Sequence, residues 1–312
     1  MSSRARRVFK VGSAIIALAL AAYCLELAIP KRDYFVRRAG ELVQHQHRQE
    51  PVGDDWYEHV HLVSSSGLEI DMRVYRPAFD GEQPLPVLLL LGGYKTGKDA
   101  VELVGAAEGI AYAAIDYPYT GRHDLGSFWG SVNAIPGAQQ AFLDAPSGLM
   151  LALQWLYEQP WADKARIELA GVSLGVPFAA PAGALESRFS RVWLLHGGGN
   201  NTAWVYGNTR RRIENDFLRA VTTRLALFAV YGNSFDTPKW VAEIAPRPLV
   251  IVLARDDDFV PAAAKEPLIE AAGKPHVELL WTDGRHIQPS RRDELQLLLR
   301  IVKNAVKDQA RP

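Results

Sequence analysis

Residues 167–176 read Ile167-Glu168-Leu169-Ala170-Gly171-Val172-Ser173-Leu174-Gly175-Val176. Ile167–Val172 has the apolar, β-branched character of a buried strand, and Leu174–Glu186 reads as a helix. A Gly-x-Ser-x-Gly between a strand and a helix is the sequence of a nucleophile elbow. The turn is so tight that the serine takes strained dihedrals, and flanking glycines keep neighbouring side chains clear. Ser173 Oγ would then stand exposed at the sheet edge, above a helix N-terminus that favours developing negative charge. With 25 glycines among 312 residues, such a pentapeptide arises by chance roughly 0.09 times, before its flanks are considered.

The pattern extends in both directions from this turn. Upstream, Glu58–Val63 and Leu68–Arg76 alternate as strands joined by Ser64-Ser65-Ser66-Gly67, and Val87–Leu91 and Ile110–Ile115 are continuous apolar strands. Helices are expected over Asp99–Glu108 and Asp144–Glu158. Downstream come strands at Val192–Leu195, Leu249–Leu253 and Val277–Trp281, a helical stretch over residues 200–245, and a closing amphipathic helix over Arg291–Val306. Two antiparallel strands followed by repeated strand–helix units predict an α/β fold, with a mostly parallel eight-stranded sheet flanked by helices. Functional residues of such sheets sit just after the carboxyl ends of strands.

A serine hydroxyl needs a base, and the base needs an orienting carboxylate. Of the histidines beyond the later strands, His276 opens a strand. His286 lies past a strand end, after Trp281-Thr282-Asp283-Gly284-Arg285, and is the expected base. The acid is expected after Leu249–Leu253, where Asp256, Asp257 and Asp258 adjoin. Position relative to Val260-Pro261 favours Asp257, with Asp256 and Asp258 as the other choices. Backbone donors for an oxyanion are expected at the Leu174 amide and in the turn Gly92-Gly93-Tyr94, at Tyr94 or else Gly93. His196, after Val192–Leu195, and the aromatics Trp204 and Tyr206 are candidate pocket residues, although a packed histidine is the blander reading of His196.

The 35 Lys and Arg balance 35 Asp and Glu, which removes the basic excess that nucleic acid calls for. Cys24 is the only cysteine, so there is no internal disulfide, and no Cys–His cluster suggests a metal. Val11–Ile29 is an apolar run with basic residues on both sides. It reads as a hydrophobic helix serving as a single-span membrane anchor, or as a signal peptide that would leave an exported enzyme, or as a core helix. Residues 31–55 read as a polar stalk or linker, and residues 56–308 as the catalytic domain.

Together, Leu89-Leu90-Leu91-Gly92-Gly93-Tyr94, Gly171-Val172-Ser173-Leu174-Gly175, Ala245–Ile251 with Asp257–Pro261, and Gly284-Arg285-His286 resemble serine hydrolases of the α/β-hydrolase superfamily. The nearest resemblance is to dienelactone hydrolase-like and prolyl-oligopeptidase-like esterases, over about residues 56–306. It implies a Ser–Asp–His triad, a small helical cap over residues 200–245, no cofactor, and a small-molecule ester or related acyl substrate. An acyltransferase, a peptidase, or a silent binding protein on the same scaffold are the rivals, with oligomeric state left open. Leu91 stands where many relatives have histidine, and Val176 where a second glycine is frequent.

Overall fold

The computed structural model describes residues 17–93, 96–119 and 128–308, with the backbone alone for 128–134. Residues 17–28 are helical (α1), followed by α2 (Arg32–Ala39) and three strands, β1 (Leu42–Val52), β2 (Asp55–Ser64) and β3 (Glu69–Pro77). Then come β4 (Leu85–Leu91), a 3-10 segment (Gly97–Leu103), β5 (Ala111–Ile115), α3 (Phe128–Glu158) and β6 (Ala162–Val172). The chain continues through α4 (Val176–Leu185), β7 (Val192–Leu195), α5 (Asn201–Thr209), α6 (Asp216–Ala229) and α7 (Thr237–Ile244). It finishes with β8 (Leu249–Ala254), α8 (Ala262–Ala271), β9 (Val277–Thr282) and α9 (Arg292–Asp308).

The strands form one sheet in the order β1-β2-β3-β5-β4-β6-β7-β8-β9. β1, β2, β3 and β5 pair antiparallel in succession, and every pairing from β5 through β4 to β9 is parallel. Strand β4 shows why the centre is stable. Val87, Leu89 and Leu91 pack into one core and Leu88 and Leu90 into the other, so both faces are covered.

Among the described residues the sheet has nine strands where eight are expected. The extra one is β1, in a stretch that reads as stalk or linker. Its residues after Leu42 are exposed, so it carries no period-2 apolar signal, and its pairing with β2 comes from backbone hydrogen bonding. One side chain is nonetheless anchored. His47 Nε2 bonds the buried Glu58 carboxylate at 2.9 Å, and Glu58 also pairs with Arg76. Helix α2 buries Phe35 against Phe235 and Trp240, so the segment following α1 is packed into the molecule.

The expected single-span anchor is not supported. Among the described residues no helix is long and apolar enough to cross a membrane. Leu27 is buried, Glu26 pairs with Lys31 at 2.5 Å, and Tyr23 accepts a bond from Gln139 at 3.0 Å. The other described residues of α1, Leu18, Leu20 and Leu25 among them, are exposed. The first part of the apolar run, residues 11–16, lies outside the described residues.

Candidate active site

Strand β6 runs into a single 3-10 turn, Ser173–Gly175, and then into α4. Ser173 has φ +53°, a left-handed conformation that is costly for a residue with a side chain. The two glycines are required by packing. A Cβ on Gly175 would overlap the Leu91 carbonyl oxygen, and one on Gly171 would sit 2.6 Å from the Ala179 Cβ. The close approach of β4, β6 and α4 at this corner holds the strained serine in place.

Ser173 Oγ lies 2.8 Å from His286 Nε2, and His286 Nδ1 lies 2.9 Å from Asp257 Oδ2. His286 follows β9, and Asp257 follows β8. The second oxygen of Asp257 accepts the backbone N–H groups of Phe259 (2.8 Å) and Val260 (2.7 Å). Burial alone would push this carboxyl's pKa up. The hydrogen bond and charge of His286, together with those two amides, outweigh burial and hold it below the usual range. An ionised Asp257 therefore accepts the Nδ1 proton, which leaves the Nε2 lone pair facing the serine hydroxyl. Leu174 and Gly93 share with Ser173 and His286 the wall of a cavity of about 1130 Å³. Tyr94 lies outside the described residues. Among the described residues, no cluster could hold a metal ion.

No protein-family model and no curated protein matches the chain. Solved structures do. Acetyl xylan esterase 1 from Thermoanaerobacterium sp. superposes with TM-score 0.59 at 16% identity, over 86% of this chain and 93% of that one. An acetyl xylan esterase from Paenibacillus sp. gives 0.58 at 19% identity, over 86% and 92%. A glucuronoyl esterase from Solibacter usitatus gives 0.51 at 16% identity, over 87% and 91%. The chain has the α/β-hydrolase fold.

Within this α/β-hydrolase fold the remaining candidates fall differently. Trp204 lines the cavity. His196 does not; it is buried behind His286, with ring centroids 6.1 Å apart. Its Nδ1 accepts the Ile287 N–H at 3.1 Å, so Nε2 carries the proton and donates to Thr282 Oγ1 at 2.9 Å. Burial, then the neighbouring His286, depress its pKa to about 4. His196 is thus a neutral brace for the backbone beside His286. Tyr206 is also absent from the described wall, because Arg219 stacks on its ring at 4.2 Å and donates to its hydroxyl at 2.7 Å.

Three supports were not legible in the sequence. Arg291 bonds both oxygens of Asp258, at 3.0 and 2.8 Å, and donates to the His286 carbonyl at 2.8 Å. Tyr117, beyond β5, donates to the Gly92 carbonyl at 2.9 Å, next to Gly93. Asn208 donates to the Phe259 carbonyl at 2.8 Å, tying α5 to the turn that carries Asp257. Each joins segments far apart in sequence, and no local motif marks any of them.

Proposed function

We propose that this chain is a serine hydrolase that cleaves a carboxylic ester through an acyl-enzyme. The observation that carries the reading is the hydrogen-bonded series Ser173–His286–Asp257 built on a strained serine at the sheet edge. Ser173 Oγ attacks the ester carbonyl carbon while its proton passes to His286 Nε2. Asp257 steadies the imidazolium without taking its proton. The oxyanion is met by the Leu174 amide and by a second amide from the turn after β4, at Gly93 or Tyr94. Collapse expels the alcohol, which takes the proton from His286. Water then repeats the attack with His286 as base, releasing the acid and restoring Ser173. Esters acted on by the neighbouring folds, acetyl xylan among them, agree with this reaction class. In this reading the stretch 200–245, whose helices α5 and α6 supply part of the cavity wall, is a cap over the site.

A fluorophosphonate probe tests the reading. The protein should be labelled on Ser173, and Ser173→Ala should lose both labelling and ester hydrolysis. Labelling that survives the substitution would refute the assignment.

A further inference from the structure

The turn between β4 and the 3-10 segment is fastened at both ends by two consecutive residues, Asp116 and Tyr117, at the end of β5. Asp116 Oδ1 accepts the Lys98 N–H at 2.9 Å, and its Oδ2 meets Lys98 Nζ. The Tyr117 hydroxyl donates to the Gly92 carbonyl at 2.9 Å. Between them, the Gly93 carbonyl accepts from Thr96 twice, from its N–H at 3.0 Å and its Oγ1 at 2.8 Å. The turn also abuts the nucleophile elbow. A Cβ on Gly175, two residues past Ser173, would come within 3.3 Å of the Gly92 carbonyl oxygen. The hydrogen bonds that join Ser173, His286 and Asp257 run elsewhere.

A peptide unit is planar and trans, so its C=O and the N–H of the next residue point to opposite sides. Whatever holds the Gly92 carbonyl therefore aims the Gly93 N–H. Two successive glycines would otherwise let this unit turn over at little cost. A Cβ on Gly93 would meet nothing within 4 Å, whereas one on Gly92 would run into Thr96 Oγ1. Gly93 thus faces open space at the cavity wall, and Gly92 faces packed chain. The Tyr117 ring stands edge-on to Phe178, with centroids 5.7 Å apart, so its hydroxyl is delivered from a seated base. Burial pushes the Tyr117 pKa well up, and the hydroxyl keeps its proton. Donating that proton polarises the peptide and sharpens its N–H as a donor. Resting on the hydrolase reading, we infer that Tyr117 is a positioning residue for the oxyanion. Its hydroxyl locks the Gly92–Gly93 peptide so that the Gly93 amide meets the developing negative oxygen beside the Leu174 amide.

Tyr117→Phe keeps the ring on Phe178 and removes only the hydroxyl. In the full-length protein with p-nitrophenyl acetate, kcat should fall about tenfold, less than the roughly 10²–10³ of losing a donor outright. KM should stay within about twofold, because the ester carbonyl carries little charge before attack. A trifluoromethyl ketone reports on the oxyanion directly. Ser173 Oγ bonds to its carbonyl carbon, the hydroxyl proton passes to His286, and the carbonyl electron pair stays on oxygen. Its Ki should rise by the factor by which kcat/KM falls, and the pH midpoint of kcat/KM should not move. Thr96→Val removes the side-chain bond to the Gly93 carbonyl and provides the same reading should Tyr117→Phe fail to fold. A fall in kcat/KM with an unchanged Ki, or with a shifted pH midpoint, overturns the inference and leaves the hydrolase reading standing. So do wild-type kinetics in a folded Tyr117→Phe. Absence of Ser173 labelling and of ester hydrolysis in the unaltered protein overturns both.

Discussion

Asp256, Asp257 and Asp258 are consecutive, yet their carboxyls meet three different environments. Asp256 is exposed. Asp257 is engaged by His286 and two amides. Asp258 is held by Arg291, whose hydrogen bonds keep its pKa down at about 2. Asp257→Asn should lower kcat by about 10⁴-fold, because an amide cannot hold the His286 tautomer the serine requires. Asp258→Asn releases a half-exposed pair that touches His286 only through Arg291 and its carbonyl, and should cost about tenfold or less. Asp256→Asn should stay near wild type. Steady-state kinetics on p-nitrophenyl acetate decide, and equal losses at 257 and 258 would contradict the separation of roles. His196 sets a stability profile. Above pH 6.5 its imidazole is neutral both folded and unfolded. As pH falls from 6.5 towards 4, the unfolded chain takes up a proton that the buried ring, at about 4, does not. Stability should therefore fall over that window and recover as pH rises. His196→Asn should flatten this part of the curve in urea melts at pH 7 and pH 5; an unchanged slope would show that other groups set it.

At the scale of elements, the elbow and the β2–β3 pair carry the sharpest constraints. Gly175→Ala drives a methyl into the Leu91 carbonyl, which is backbone and cannot rotate away. A loss of about 1–3 kcal/mol and a displaced Ser173 are expected, visible together as a lower Tm and weaker fluorophosphonate labelling. In the β2–β3 pair, Glu58 is fully buried and bonded by Arg76 and His47. Arg76→Met removes the principal compensation for that charge and should cost about 3–5 kcal/mol, while Glu58→Gln in the same chain should restore much of it. Denaturant melts of the single and double variants measure the difference; additive losses would argue against coupling. Elements with strong periodicity or continuous apolar runs, such as β4, β6 and α9, were legible in advance because burial on both faces, or on one stripe, writes itself into residue type. Strand β1 was not, because an edge strand exposed to water needs only backbone partners. Residues 99–108 read as a helix, yet the structure gives only a short 3-10 segment there, followed by turns held in place by Lys303 Nζ, which donates to the Val104 and Ala106 carbonyls at 2.9 Å.

For the whole molecule, the packing of α2 and β1 changes where the chain can be cut. The Lys31 N–H donates to Ser234 Oγ at 3.1 Å, Ser147 Oγ donates to the Phe35 carbonyl at 2.9 Å, and Arg38 binds Asp144 through two nitrogens. A chain begun at Lys31 should keep ester hydrolysis. One begun at Asp54 loses Phe35 from the core and exposes the long edge of β2, so it should aggregate or melt many degrees lower. Size-exclusion chromatography and thermal melts compare them, and an active, stable chain begun at Asp54 would show that the first 53 residues are dispensable. The primary structure alone determined the alternation of strand and helix, the elbow at Ser173, and the strand ends at which a base and an acid had to be sought. Those features follow from local sterics and from the apolar character that burial demands of nearby residues. Tertiary structure alone decided that Asp258 turns to Arg291 while Asp257 meets His286, that His196 braces rather than lines the cavity, and that β1 joins the sheet. Those outcomes depend on distances between segments up to about a hundred residues apart, and such distances arise only when the whole sheet and its covering helices close together.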